Sequence, residues 1–307
     1  MMRFGSHLLF FATALSSLTA LAENRDLYYE GHDGSRQHAI HFIAEHPRSA
    51  ILFVHGLQSH AEWMRASGVG EKLAARGISV MAFDRRGSGR SATERGYAAS
   101  GKELLEDLND AVVLFRKELR KQGVEPGRDI QLNLMANCFG VRIAVPYAFE
   151  AEKQSKNPFA SLILIAPSTQ MRPEAEYNFI EKLQVMLKGS HESVATPLKD
   201  EWFVSSGPGL TWIKQDALGL HRVTVGLLKS VRGLTTIANR ELPDMTMPLM
   251  IFTASRDKMV DGERVKRELY RPYRGEKRLR ELDSEHSLEF GPARDRFVEE
   301  TVRWVLR

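Results

Sequence analysis

The sequence predicts an α/β fold: a mostly parallel central sheet flanked by helices on both faces. Three observations predict it. Short apolar runs alternate with longer amphipathic stretches from about residue 38 onward, the pattern of repeated strand–helix–strand units. The runs at 50–54, 78–83 and 162–165 are almost continuously apolar, as strands buried on both faces are. Residues 102–121 carry Leu104, Leu108, Val112, Phe115 and Leu119 at three- and four-residue spacing, the stripe of an amphipathic helix.

The elements follow in order. Residues 38–45 read as an early strand and 50–54 as the next. A helix is expected over 70–75. The strand at 78–83 then ends at Asp84 and the loop Gly87-Ser88-Gly89. After the helix at 102–121, the Pro126-Gly127 turn leads to a strand at 130–134 and a helix at 139–149. The strand at 162–165 is closed by Pro167. The strand pattern resumes at 248–252, weakens at 278–282, and gives way to a closing helix over 292–306. That helix places Phe297, Val298, Val302 and Val305 on one face. Residues 169–245 interrupt the alternation and contain no clear strand. Leu183, Leu210, Trp212, Ile213 and Leu220 point instead to a small helical unit over the sheet. It reads as a cap, since lids exclude water and select substrate.

Composition narrows the function classes. With 43% hydrophobic and 27% charged residues, the chain is globular rather than disordered. The formal charge of +4 is spread along the chain. Aromatic-interleaved basic runs and zinc-finger spacings are absent, so nucleic acid is not an expected partner. Arg3, the apolar stretch 8–21 and Ala20-Leu21-Ala22 form the n-region, h-region and small-x-small site of a signal peptide. Residues 1–22 are expected to be removed, leaving 23–307 exported, to the periplasm or the medium, without a membrane span. Gly87-Ser88-Gly89 lacks the further glycine of a dinucleotide loop and the lysine of a phosphate loop. His38 and His41, at odd spacing on a strand, fall on opposite faces and form no local metal pair. No metal or cofactor is implied.

The lone cysteine, Cys138, carries the argument. It sits in Ala136-Asn137-Cys138-Phe139-Gly140, between an expected strand and an expected helix. A sharp strand-to-helix turn presents its central side chain out of the sheet and needs small residues two positions away on each side. Ala136 and Gly140 satisfy that need. The bland alternative is a buried, inert thiol. Three further segments favour chemistry. Val54-His55-Gly56-Leu57 follows a buried strand, where the Leu57 amide can join the Phe139 amide as an oxyanion hole. His55 is read as shaping that loop. Asp257 lies just past the strand at 248–252, with Asp261 as the backup acid. His286 lies between the last strand and the closing helix. Nucleophile, acid, base is the chain order of this elbow architecture.

These segments together resemble the α/β-hydrolase superfamily, and most closely its monoacylglycerol lipase and serine aminopeptidase-like branch. The resemblance covers about residues 38–307. Asp84-Arg85-Arg86-Gly87-Ser88-Gly89-Arg90-Ser91 matches the D-x-R-G-x-G-x-S loop of that branch. Arg85 and Arg86 are read as bracing this loop. The resemblance implies an α/β-hydrolase fold with a helical cap insertion at about 169–245, and a Cys138–His286–Asp257 triad. The chain departs from the branch at the nucleophile, where Cys138 replaces the usual serine, and at Asn137, where related lipases often carry histidine. Dienelactone hydrolases and polyhydroxyalkanoate synthases use cysteine at this place. The expectation is an acyl hydrolase for an ester, lactone or thioester with a small, apolar or lipid-like acyl substrate. The alternatives are an acyltransferase passing the acyl group to an amine or alcohol, and a non-catalytic binding protein on the same fold.

Overall fold

The computed structural model describes residues 23–307. The expected signal peptide, 1–22, lies outside the described residues. The chain forms β1 (Asn24–Glu30), β2 (Arg36–Phe42), β3 (Ser49–Val54), α1 (Glu62–Ala66), α2 (Val69–Ala74), β4 (Ile78–Phe83), α3 (Gly101–Lys121), β5 (Gln131–Asn137), α4 (Val141–Lys153) and β6 (Ser161–Ile165). Then come α5 (Phe179–Met186), β7 (Ser193–Ala195), α6 (Asp200–Phe203), α7 (Gly207–Gln215), β8 (Arg222–Thr224) and α8 (Val225–Glu241). The chain closes with β9 (Leu249–Ala254), α9 (Gly262–Arg264), β10 (Lys277–Leu282) and α10 (Arg294–Val305).

Eight strands form one sheet in the order β1-β2-β4-β3-β5-β6-β9-β10. Only β2 runs against its neighbours; from β4 to β10 every pairing is parallel. All six residues of β3, β4 and β9 are buried, because helices cover both faces of a parallel sheet. On α3, Ser100 caps the first turn by accepting from the Glu103 amide at 3.2 Å. Its stripe from Leu104 to Leu119 is buried. Charged residues fill the opposite side, as an amphipathic surface helix requires.

Three features differ from the sequence reading. Strand β1 is an edge strand whose burial alternates weakly; its polar run Asn24-Arg25-Asp26 hides the period that marks a half-buried strand. The 169–245 stretch is not purely helical, since β7 and β8 pair antiparallel over three residues each. Three residues are too few for a period to show. Strand β5 also runs on to Asn137, which delivers the chain directly to Cys138. No helix among the described residues is long and apolar enough to cross a membrane.

Candidate active site

Parallel strands bring their carboxyl ends to one edge of the sheet, where α/β proteins hold their chemistry. The loops after β3, β5, β9 and β10 carry His55-Gly56-Leu57, Cys138, Asp257 and His286 respectively. Four segments far apart in sequence therefore meet.

Cys138 is the first residue of a short 3₁₀ turn, Cys138–Gly140, that leads into α4. Its φ is +49°, a left-handed conformation that costs a non-glycine residue of order 1–3 kcal/mol. The neighbours explain why the turn must be tight. A Cβ on Gly140 would lie 2.4 Å from the Val54 carbonyl oxygen and 2.8 Å from that of His55. A Cβ on Gly56 would lie 3.4 Å from the Cβ of Cys138. The glycines let the β3 loop and the elbow close on each other. The Leu57 amide donates to no protein acceptor among the described residues, and Phe139 stands in the opening turn, where amides lack intrahelical acceptors.

His286 Nδ1 donates to Asp257 Oδ2 at 2.8 Å, and both side chains are buried. Asp257 Oδ1 accepts the Met259 and Val260 amides at 2.7 and 2.9 Å, so its carboxylate cannot turn away. Nε2, on the other side of the imidazole, is buried with no hydrogen bond to protein. Phe203 from the insertion sets its ring edge-on to the imidazole at 5.6 Å. Burial works to lower the His286 pKa, but the charges of Asp257 and of Cys138 outweigh it and hold the group well above the ordinary histidine value. Asp261 faces elsewhere: it caps α9, accepting the Glu263 and Arg264 amides at 3.0 and 3.1 Å.

The loop after β3 is held from below. His55 is fully buried; Nδ1 donates to the Gly56 carbonyl at 2.8 Å and Nε2 accepts the Arg85 amide at 3.1 Å. Burial, with the Arg85 charge, pushes its pKa down to about 3, so it stays neutral. The Arg85 side chain donates to the Gly56 and Leu57 carbonyls at 3.4 and 3.2 Å and lies 4.9 Å over the Phe139 ring. Arg86 pairs with Asp107 through two bonds of 2.7 Å. Both arginines brace. Asp84 ties this region together, accepting from His38 and from the Ala61 and Arg90 amides at 2.7 Å each. Gly89 is obligatory beside it, since a Cβ there would lie 2.1 Å from the Asp84 carboxyl carbon.

Sequence reasoning missed a second buried acid. Asn137 donates to Glu289 Oε1 at 3.0 Å, and Glu289 lies near enough to His286 to feel its charge. Burial pushes the Glu289 pKa up to about 6. Asn137 stood out in the sequence as an unusual elbow residue; nothing there pointed to its partner. The insertion was also found to be latched to the β3 loop: His60 Nε2 donates to Asp216 Oδ2 at 2.8 Å and Trp63 Nε1 to the same oxygen at 3.1 Å.

Beside Cys138 lies a cavity of about 220 Å³. Leu57 and Phe139 form part of its wall, and Met171, Leu198 and Val231 make it largely apolar.

The strand order, the lone antiparallel β2, the left-handed residue at the β5–α4 elbow and the acid–histidine pair beyond β9 and β10 define an α/β-hydrolase-type enzyme. A family profile described as serine aminopeptidase, S33, matches residues 45–285, and the chain belongs to that family. Among solved structures it is similar to a soluble variant of the Saccharomyces cerevisiae monoglyceride lipase, with a TM-score of 0.77 and 16% identity over 94% of this chain and 96% of that one. It is also similar to the Paleococcus ferrophilus monoacylglycerol lipase (TM-score 0.71, 19% identity, 88% and 98% covered). A carboxyl esterase from Bacillus coagulans matches with a TM-score of 0.68 at 15% identity, over 92% and 99%. An uncharacterised abhydrolase domain-containing protein of Dictyostelium discoideum is 25% identical over 223 residues, 69% of this chain. The chain spans about a fifth of that relative, 21% of its length.

Proposed function

We propose that this chain is an exported acyl hydrolase for a carboxylic ester, lactone or thioester, with Cys138 as nucleophile, His286 as base and Asp257 as orienting acid. The observation that carries the reading is the 2.8 Å His286–Asp257 bond, with the other imidazole nitrogen left free on a ring that feels the Cys138 charge. Similarity to esterases and lipases supports the ester class. The sequence of 1–22 supports export.

In this mechanism His286 Nε2 first takes the Cys138 proton, giving a thiolate beside an imidazolium, and the sulfur then attacks the carbonyl carbon. A C–S bond forms, and the carbonyl π pair moves to oxygen, which the Leu57 and Phe139 amides hold. Asp257 stabilises the imidazolium and keeps the proton on Nδ1. When the oxyanion collapses, the bond to the leaving group breaks and the imidazolium protonates it. The thioester is then cleaved by water, whose proton goes to His286, and the acid and the thiol are regenerated. The insertion carrying Phe203 acts as the cap over this centre.

The test is p-nitrophenol release from short and medium acyl esters under reducing conditions, with wild type beside Cys138→Ala. Release that falls to background in the variant is the expected result. Equal release above background by both proteins refutes Cys138 as the nucleophile, and equal release at background by both leaves a narrow natural substrate or a binding protein on a hydrolase fold. A burst that only an added amine or alcohol drains assigns the final step to acyl transfer.

A further inference from the structure

Arg142 lies four residues past Cys138, on the first turn of α4. Its guanidinium is partly buried and spends its bonds on neutral oxygens. Nε donates to Ser168 Oγ at 3.0 Å, Nη2 to the Ser168 carbonyl at 2.6 Å, and Nη1 to Thr235 Oγ1 at 3.4 Å. A guanidinium has five N–H groups, so each terminal nitrogen keeps one unused. Among the described residues no carboxylate comes within ion-pair distance of Arg142. The charges that act on it are those of Cys138 and, more weakly, of Glu176, and Lys182 occupies the Glu176 carboxylate at 2.8 Å. Arg85 also lacks an acid, but its side chain is used under the β3 loop and lines no cavity described above. Arg142 does line the cavity beside Cys138, and it sits 6.0 Å from the ring of Phe139.

A second cavity, of about 580 Å³, shares a wall with the first. Arg142, Tyr177, Lys182, Leu228 and Val231 line both. The second adds Lys229 and Arg232 from α8, and neither is ion-paired among the described residues. No acidic side chain lines it. The two cavities are thus bordered by apolar groups and by four cations, of which only Lys182 is paired, to the one lining acid, Glu176. A neutral acyl chain would desolvate part of that charge without return. A carboxylate would meet a planar donor pair matched to its own two oxygens.

We infer that Arg142 is a carboxylate-recognition subsite, and that the acyl substrate of Cys138 carries a carboxylate several bonds from its scissile carbonyl. Lys229 and Arg232 gather that charge at the outer cavity. The inference rests on the reading of Cys138 as the nucleophile that forms an acyl-enzyme, and deepens it by naming the substrate class.

The test compares kcat/KM for p-nitrophenyl half-esters of glutaric, adipic and suberic acids with kcat/KM for the neutral p-nitrophenyl esters of equal chain length. Wild type is expected to prefer the best half-ester by about tenfold, the scale of one charge-assisted bond pair. That preference collapses in Arg142→Met, and shrinks through KM in a Lys229→Gln, Arg232→Gln double variant. A wild-type preference for the neutral esters overturns the inference. So does a parallel loss of both rates in Arg142→Met at constant ratio, which would mean that Arg142 serves only the sulfur. If no ester of either kind turns over, the reading of Cys138 as acyl-enzyme nucleophile fails, and the subsite is read by calorimetry instead. Monobutyl adipate should then bind Cys138→Ala more tightly than butyl hexanoate, with the difference lost on adding Arg142→Met. Equal binding of the two would overturn the subsite independently of catalysis.

Discussion

The carboxylate of Asp257 is clamped on both oxygens: Oδ2 accepts from His286 Nδ1 at 2.8 Å, and Oδ1 accepts the Met259 and Val260 amides. An acid held this way fixes the imidazole in one tautomer. Asp257→Asn keeps the shape but offers an amide where a carboxylate is needed. Turnover of an active ester is expected to fall by about 10⁴-fold with the melting curve little changed. A fall of less than tenfold in steady-state kinetics would remove Asp257 from the proposed machinery.

Glu289 gives a pH prediction. Burial raises its pKa from 4.5 to about 6, so the folded state holds this proton more tightly than the unfolded chain does. Stability from this group is greatest below the unfolded value and falls as the pH rises through the window to about 6. Glu289→Gln keeps an oxygen for Asn137 and removes the buried charge. The variant is expected to be more stable than wild type near neutral pH by roughly 2 kcal/mol, with the gap closing in acid. Urea melts across that range check it; a variant that is less stable at neutral pH contradicts the sign.

Gly140 is required for space, not for backbone freedom, since its φ is −56°. Gly140→Ala drives a Cβ to 2.4 Å from the Val54 carbonyl oxygen, a backbone atom that cannot swing aside. The expected cost is about 1–3 kcal/mol. By contrast, Gly56→Ala meets its nearest atom, Ser59 Oγ, at 3.1 Å, and costs less because a side chain can yield. Paired denaturation curves would show whether that order holds.

Arg85 holds the Gly56 and Leu57 carbonyls, and in the proposed mechanism it positions the loop that offers the Leu57 amide to the oxyanion. Arg85→Met keeps most of the packing volume but releases the Gly56 and Leu57 carbonyls. The expected effect is a kcat loss of about tenfold or more, below the 10²–10³ seen when an oxyanion donor itself is removed. KM should hardly move. A change confined to KM would assign Arg85 to substrate binding instead.

Asp216 latches the insertion to the β3 loop through His60 and Trp63. Asp216→Ala leaves both donors buried and unpaired, at about 1–3 kcal/mol each. Hydrogen exchange should speed up in β7, β8 and α7 while β3 and β5 stay protected. Uniform acceleration would show that the insertion and sheet open as one unit.

Much of this fold was legible in the chain. Buried parallel strands announce themselves as apolar runs, and α3 by its stripe, because burial of a whole strand or helix face leaves a period. Cys138, Asp257 and His286 were legible for a related reason: each follows a strand, and parallel strands bring those ends together. Strands β1, β7 and β8 were not, since an exposed edge and a three-residue pair leave no period to detect.

By itself the sequence determined the sheet, the strand ends, the tight turn at Cys138 and the order of the residues gathered there, because periodicity and turn sterics act over a few neighbouring residues. Only the tertiary structure decided the pairings. Asn137 meets Glu289 across 152 positions and His60 meets Asp216 across 156, while among the described residues Arg142 meets no carboxylate within ion-pair distance. For these long-range pairs, which charge finds a partner depends on where the folded chain places the others, and no local spacing carries that information.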